Sequence, residues 1–406
     1  MGRATSLQGS ETPFSFRSLV LPFYLPEILT SLGIGLAIPL LPLYAQTFDD
    51  SGGLAGIIVG LYGFGSLCMN VPSGILSARL GDRNAIILSV VMHILGALGA
   101  VFAANAFVLG TGVFILGAAR SLFFVSRLSY FRSLVPREFR GRALAIIGGE
   151  YRVGNALGPV AGGLLAAHVG YPATFAGLGL IAVVVLGMLV RWAPRPSEGL
   201  PDAPVPTMKE LFSGAFRAFR GNGRIFGTAG LAVVMLQFVR AGRSVVLPLW
   251  GNAIGLPVEQ VGLTVGIMFG VEMIMFIPAG YVMDRFGRKW TGVPSLLLLA
   301  VSMILLMYSH SFAMYVAVAV VAGVGNGMAS GLNMTLSTDY APKINASNFI
   351  GAWRFIADAG TSGGPFIVGA VRAAAGLTWT GGVVAVFGLI GAAVMARFVR
   401  EPNRSG

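Results

Sequence analysis

The chain has 406 residues, of which 55% are hydrophobic and 11% charged, whereas a soluble domain carries roughly 25% charged residues. This shortage of polar surface runs evenly along the chain, which excludes an ordinary soluble domain and makes hydrocarbon the solvent for most of it. The net charge of +12 does not mark a nucleic-acid binder, because the basic residues are segregated by topology, and the single Cys68 excludes an internal disulfide.

In chain order, residues 1–16 are short and polar. The apolar run after Arg17 is too long for a signal-peptide core and no small-residue cleavage site follows it, so it reads as an uncleaved first helix. A spanning helix needs about 20 mostly apolar residues. Such runs fall at 19–44, 54–78, 85–103, 107–130, 142–167 and 172–192, and again at 224–250, 258–283, 291–309, 312–338, 348–372 and 376–398. The expected fold is therefore all-α and polytopic, with twelve transmembrane helices, here spans 1 to 12. Between spans 6 and 7 lies a connection over 193–223. It is proline-rich at first and then basic and amphipathic through Leu211, Phe212, Phe216 and Phe219. It reads as a linker plus a helix on the membrane surface, dividing the chain into bundles 1–192 and 224–406.

Orientation follows from the basic residues. Of the 28 lysines and arginines, 21 fall on the side holding both ends of the chain and seven lie within helices; the opposite loops hold none, and the first of them carries Asp49 and Asp50. The positive-inside rule then places both termini in the cytoplasm of a plasma (inner) membrane protein. The two bundles also repeat at a constant offset of 206 residues. Gly56, Val59 and Gly60 return as Gly262, Val265 and Gly266; Pro72, Gly74, Arg79 and Gly81 as Pro278, Gly280, Arg285 and Gly287; Gly154, Gly158 and Pro159 as Gly360, Gly364 and Pro365. The matched residues are mostly backbone-determining glycines and prolines. Two pseudo-symmetric six-helix halves are a transporter plan.

Four motifs carry a resemblance to the major facilitator superfamily over essentially the whole chain, and within it to the 12-helix drug/proton antiporters. After span 8, Gly280-Tyr-Val-Met-Asp284-Arg285-Phe-Gly287-Arg288-Lys289 is a full copy of that family's cytoplasmic loop signature. After span 2, Gly74-Ile-Leu-Ser-Ala78-Arg79-Leu-Gly81-Asp82-Arg83 is a degraded copy in which Ala78 replaces the usual aspartate. Span 4 has Arg120, where the family's exporters often keep a buried arginine. Span 5 reads Gly154-Asn-Ala-Leu-Gly158-Pro159-Val-Ala-Gly162-Gly163, similar to the motif of proton-coupled exporters. The resemblance implies the major facilitator fold, alternating access, and a latch in which Asp284 meets the positive N-terminal end of span 5 near Gly141 and Arg142. The plainer readings are helix packing for the glycines and a positive-inside loop for Arg288 and Lys289.

Ionisable residues at bilayer depth are costly and mark candidate sites. The acids Glu27, Glu150, Glu272 and Asp358 are candidates for proton coupling. At 1.5 Å per residue, Glu27 lies about 12 Å and Arg120 about 16 Å from the basic ends of their helices, so a Glu27–Arg120 pair is expected, either as an exchange site or as a static structural pair. Arg152 and Asp358 occupy equivalent positions in the two halves, which suggests a link between them. Glu272 is a partner for span 5 across the halves or a proton site. Arg127, near a helix end, is expected to snorkel. Arg240 and Arg243 share one face of span 7 and, with Arg152 and Arg354, are candidates for the substrate cavity. His93, His168 and His310 have no metal-ligand spacing, no cofactor motif is visible, and an enzyme is not expected.

The reading is a monomeric, proton-coupled efflux transporter of small amphipathic compounds. Six arginines against four acids within the spans leave the interior positive, so the rival is an importer or exchanger of an organic anion. A non-transporting sensor or scaffold is the third reading, and it would not need buried charges at matched depths.

Overall fold

A computed structural model describes residues 19–49, 52–135, 139–194, 207–344, 346–399 and 401. All regular structure in them is helical. Span 1 covers Val20–Gln46, span 2 Leu54–Leu80, span 3 Asp82–Val101, span 4 Ala106–Leu134, span 5 Arg140–Val169 and span 6 Tyr171–Trp192. Spans 7 to 12 are Gly223–Ala253, Val258–Phe286, Lys289–Leu306, Phe312–Asp339, Ala346–Ala375 and Leu377–Phe398. Ten of the twelve are long and apolar enough to cross a membrane by length and composition alone. Spans 5 and 11, at 30 residues each, are long enough but carry charges such as Glu150, Arg152, Arg354 and Asp358 along their length.

The sequence repeat is also a backbone repeat. Span 1 opens with a π-turn at Val20–Tyr24 and span 7 carries one at Phe226–Gly230, the same place after the offset. Asn105 caps span 4 by accepting from the Val108 amide, and Ser311 caps span 10 by accepting from Met314, which satisfies otherwise orphan donors. The loops after spans 2 and 8 turn on Gly81 (φ 79°) and Gly287 (φ 112°), conformations that disfavour any residue with a Cβ. Basic side chains then close the ends of the last helices. Arg83 donates to the Val190 carbonyl in span 6, and Lys289 to the equivalent Ala396 carbonyl in span 12.

One element breaks the symmetry. Span 4 is a single helix of 29 residues, while span 10 is interrupted after Met328 and resumes at Leu332, with Gly331 left-handed at φ 80°. The break frees carbonyls, and span 7 supplies their donors: Arg240 Nη2 donates to Asn326 O (3.3 Å) and Ala329 O (3.0 Å).

The halves meet along two seams, spans 2 with 11 and spans 5 with 8, and glycines make the approach possible. A Cβ on Gly56 would collide with the backbone of Pro365 and Gly369, and one on Gly262 with Pro159 and Gly163. These two contacts are equivalents after the offset, as are Gly60 against Phe366 and Gly266 against Val160. On the side away from the basic loops the molecule is therefore sealed. Toward the basic loops it is not: a Cβ at Gly74, Gly149 or Gly280 would meet nothing within 4 Å.

Within the connection, residues 195–206 lie outside the described ones. The amphipathic helix forms at Met208–Gly221, started by a capping box in which Glu210 accepts from the Thr207 amide and Thr207 Oγ1 accepts from the Glu210 amide. That bond holds the Glu210 carboxyl below its usual range. Phe219 packs on Phe226 at the start of span 7 and Gly214 sits against Asn348 of span 11.

Candidate functional site

Between the halves, above the open side, lies a cavity of about 370 Å³, within the size range of small-molecule pockets. Its walls include Arg120, Arg152, Arg240 and Arg243 but only two acids, Glu272 and Asp358, together with the aromatic and apolar surfaces of Tyr62, Tyr151, Met268 and Phe269. Four of the sequence-predicted charges on spans 4, 5 and 7 thus reach one chamber with two of the predicted acids.

Each charge has a defined setting. Arg120 lies over the Tyr62 ring (5.8 Å to the centroid), with Tyr151 and Asp358 in electrostatic reach. Asp358 accepts from the Asn70 amide across the seam of spans 2 and 11, and Arg354 approaches it at 3.7 Å from one turn away. Asn70 in turn accepts from Ser121 Oγ (2.6 Å). At the other seam Arg152 stacks on Phe276 (3.8 Å), and Glu272 accepts from the Asn326 amide of span 10. Arg240 also donates to Gln237 Oε1 (3.1 Å), and Arg243, 3% exposed, donates to Ala322 O (3.2 Å).

Arg152 and Asp358 do not meet as a pair. Each crosses to the opposite half and finds the other's equivalent: Asn70 and Phe276 differ by the same 206 residues. The expected link near the axis is two parallel contacts, because the two-fold places equivalent residues on opposite sides of the cavity.

Glu27 pairs with Arg127 (3.1 Å) and not with Arg120, and Glu150 binds the same guanidinium (2.8 Å). Arg127 is 7% exposed and lies over the Phe23 ring at 4.3 Å, so it does not snorkel. The reason is helix length. Span 4 runs to Leu134, four residues beyond the expected end, which puts Arg120 about 21 Å from that end and Arg127 about 10 Å, the depth of Glu27. This triad lies in the N-terminal half, off the cavity wall. Two carboxylates share one buried guanidinium there.

The loop signature has partners that sequence reasoning missed. Arg288 holds Asp339 through Nε (2.7 Å) and Nη2 (3.3 Å), which raises its own affinity for its proton. Glu401 accepts from the Arg288 and Lys289 amides (2.8 and 2.7 Å). The motif therefore ties spans 8, 9, 10 and 12 together inside one half. Asp284 is exposed and Arg285 bonds Tyr281. A Cβ at Gly149 or Gly280 would meet nothing within 4 Å; the Arg142 side chain, the expected neighbour of Asp284, lies outside the described ones. In the degraded copy, Asp82 accepts from Ser77 Oγ within its own loop. The antiporter-like run of span 5 packs on span 1, with Gly154 against Ser31, Gly158 against Gly35 and Gly162 against Leu36, and on span 8 through Gly163. Among the described residues no group of three metal-ligating side chains occurs.

Known proteins agree with this architecture. The chain is 23% identical over 361 residues to an uncharacterised MFS-type transporter of Methanocaldococcus jannaschii, covering 84% of this chain and 91% of that one. It is 31% identical over 156 residues to the multidrug efflux pump LfrA of Mycolicibacterium smegmatis, covering 38% and 30%. A bacterial homologue of the human lysosomal transporter Spinster, solved inward-facing and occupied, superposes with a TM-score of 0.78 at 16% identity, over 96% of this chain and 98% of that one. The sequence profile of the Major Facilitator Superfamily matches residues 27–257 and 229–406, and the chain belongs to that family of membrane transporters.

Proposed function

We propose that this transporter exports small amphipathic molecules bearing negative charge, in exchange for protons. The observation that carries the reading is the cavity wall, with four arginines against two acids. Such a surface repels cationic drugs and gives an anion charge-assisted partners. The Glu27–Arg127–Glu150 triad supplies the proton site in this reading. A carrier exchanging anions without protons would need no second carboxylate on Arg127.

Direction follows from energetics and resemblance. With both termini in the cytoplasm and an inside-negative potential, an anion leaving as a proton enters moves two charges down the field, each worth about 2.3 kcal/mol per 100 mV. The antiporter-like glycines of span 5 and the efflux activity in the name of one relative favour the same direction. The open side is then cytoplasmic, and Asp284 latches onto span 5 only when that side closes.

The test is transport by the purified monomer in proteoliposomes under an imposed pH gradient, with anionic, neutral and cationic compounds of matched size. Anions should be driven. Glu27→Gln with Glu150→Gln should abolish gradient-driven accumulation and leave substrate exchange intact. Transport of cations alone, or full coupling in the double variant, would sink the reading.

A further inference from the structure

The cavity's charges are not evenly spread. They fall into two groups, one at each seam between the halves, and each group is built around one carboxylate held by one asparagine amide. At the seam of spans 2 and 11, Asp358 accepts from Asn70 and is flanked by Arg120 and Arg354. Arg354 itself crosses the seam to lie over Phe124 of span 4 (4.7 Å). Two guanidiniums therefore share one carboxylate. At the seam of spans 5 and 8, Glu272 accepts from Asn326 and lies in electrostatic reach of Arg152, Arg240 and Arg243. Three guanidiniums share one carboxylate there. The Nε atoms of Arg240 and Arg243 are buried with no hydrogen-bond partner among the described residues, so protein donors and acceptors do not exhaust this group.

Both groups open onto the same cavity, one through Arg120 and Asp358 and the other through Arg152, Arg240, Arg243 and Glu272, while Arg354 adds its charge from outside the lining, and each group keeps a surplus of positive charge. In a low-dielectric chamber that surplus is costly until an anion arrives. A substrate with one negative group can relieve one seam. The other would stay uncompensated through the whole cycle, while the two halves rock about that same seam. A substrate with a negative group at each end relieves both and ties the halves together on both sides of the cavity.

On this basis, and resting on the anion reading above, we infer that the substrate is a dianion of dicarboxylate type. One carboxylate is received by Arg120, with Arg354 adding its charge through Asp358, and the other by the Arg152–Arg240–Arg243 group. Asn70 and Asn326 are positioning residues that hold the two acids out of the anions' way. Arg120 and Asn326 are related by the 206-residue offset, so the two subsites occupy equivalent places in the repeat although their residues differ.

The experiment is equilibrium binding to the intact detergent-purified protein at fixed pH, where coupling plays no part. The probes are linear α,ω-dicarboxylates from succinate to sebacate, each beside its monoamide and its diamide. At the preferred length the dicarboxylate should bind about tenfold or more tightly than its monoamide, since each paired charge is a charge-assisted bond. Arg120→Gln should bring the dicarboxylate down to about the level at which the unaltered protein binds the monoamide. Arg354→Gln, at a side chain 38% exposed, tests the same seam without disturbing a buried group and should move the dicarboxylate the same way. Equal binding of dicarboxylate and monoamide at every length overturns the two-seam proposal and leaves the anion reading standing. If neither binds better than the diamide, both fall.

Discussion

The two halves share a scaffold and divide the chemistry. Their π-turns, helix caps, loop glycines and seam contacts coincide after a shift of 206 residues, yet apart from Arg152 and Asp358 their charges deep within the spans do not. The equivalents of Glu27, Arg127 and Glu150 in the C-terminal half are Val233, Asn333 and Ile356. The equivalents of Arg240 and Arg243 in the N-terminal half are Ile34 and Ala37. Backbone features answer to packing and must satisfy both halves, so duplication keeps them. Charges in hydrocarbon are costly, and few positions keep one in both halves.

The sharpest test of that division is to remove the same position from both halves. Arg127→Ala leaves two buried carboxylates facing each other without a counter-ion. Breaking a buried ionic group in this way costs about 3–5 kcal/mol, so the variant should lose most of its thermal stability in detergent and all transport. Adding Glu27→Gln and Glu150→Gln should restore folding without restoring coupling. Asn333→Ala in the other half removes one bond, accepted from Trp353 Nε1 at 2.9 Å, and should cost about 1 kcal/mol. Equal losses at the two positions would mean that the triad is no more than packing.

The shared scaffold makes the opposite prediction, equal effects at equivalent sites. Gly56→Val and Gly262→Val each place a side chain into the backbone of the opposite half. Both should prevent the far side from sealing and bias the protein toward opening there. Cysteine accessibility near Gln46 and Asn252, which approach across the seal at 3.5 Å, should rise in both variants, and transport should fall by about tenfold or more, since overpacking costs about 1–3 kcal/mol. A response from only one of the two would show that the seams open independently.

The broken helix tests the asymmetry more gently. Gly331→Ala puts a Cβ at φ 80° and should cost about 1–2 kcal/mol. The strain would be relieved by straightening span 10, which takes the Asn326 and Ala329 carbonyls away from Arg240. Slower transport with unchanged helical content is expected. Val125→Gly, the equivalent in continuous span 4, should lower stability by helix propensity alone, about 0.5 kcal/mol, with transport unaffected.

Much of this was legible in the sequence. Hydropathy located the spans to within a few residues, and the offset predicted which loops would match. The cavity arginines were found because a charge in an apolar run is visible whatever it touches. Partners were not legible. Glu27 and Arg120 matched in estimated depth, but the estimate depended on where span 4 ends, and one further turn moved the match to Arg127. Asn70, Phe276, Asn326 and Asp339 escaped because uncharged residues in apolar helices, or a charge beside a loop, carry no signal alone. The offset held one clue: Asn326 is the repeat of Arg120, so a polar residue at that place in both halves marks the cavity wall. The break in span 10 had only Gly331 to announce it, among 58 glycines.

The smallest expected effect concerns the loops, where scaffold and chemistry overlap. Arg83 and Lys289 are equivalents, and each closes the end of the last helix of its half. Arg83 reaches three carbonyls, Ala193 (3.0 Å), Val190 (3.1 Å) and Leu189 (3.3 Å), while Lys289 reaches Ala396 alone (2.7 Å). A cation at a helix C-terminus is worth about 0.3–1 kcal/mol, and the planar guanidinium can serve several acceptors where an ammonium on a flexible stem serves fewer. Lys289→Ala should therefore lower thermal stability only slightly, by about 0.5 kcal/mol, and Arg83→Ala by about twice that. The C-terminal loop has further ties, since Glu401 already binds the Arg288 and Lys289 amides and Arg288 holds Asp339. Lys289→Arg should then gain little, while Arg83→Lys should behave nearly like Arg83→Ala. If the two alanine variants cost the same, the full loop signature adds nothing to its half beyond the helix cap.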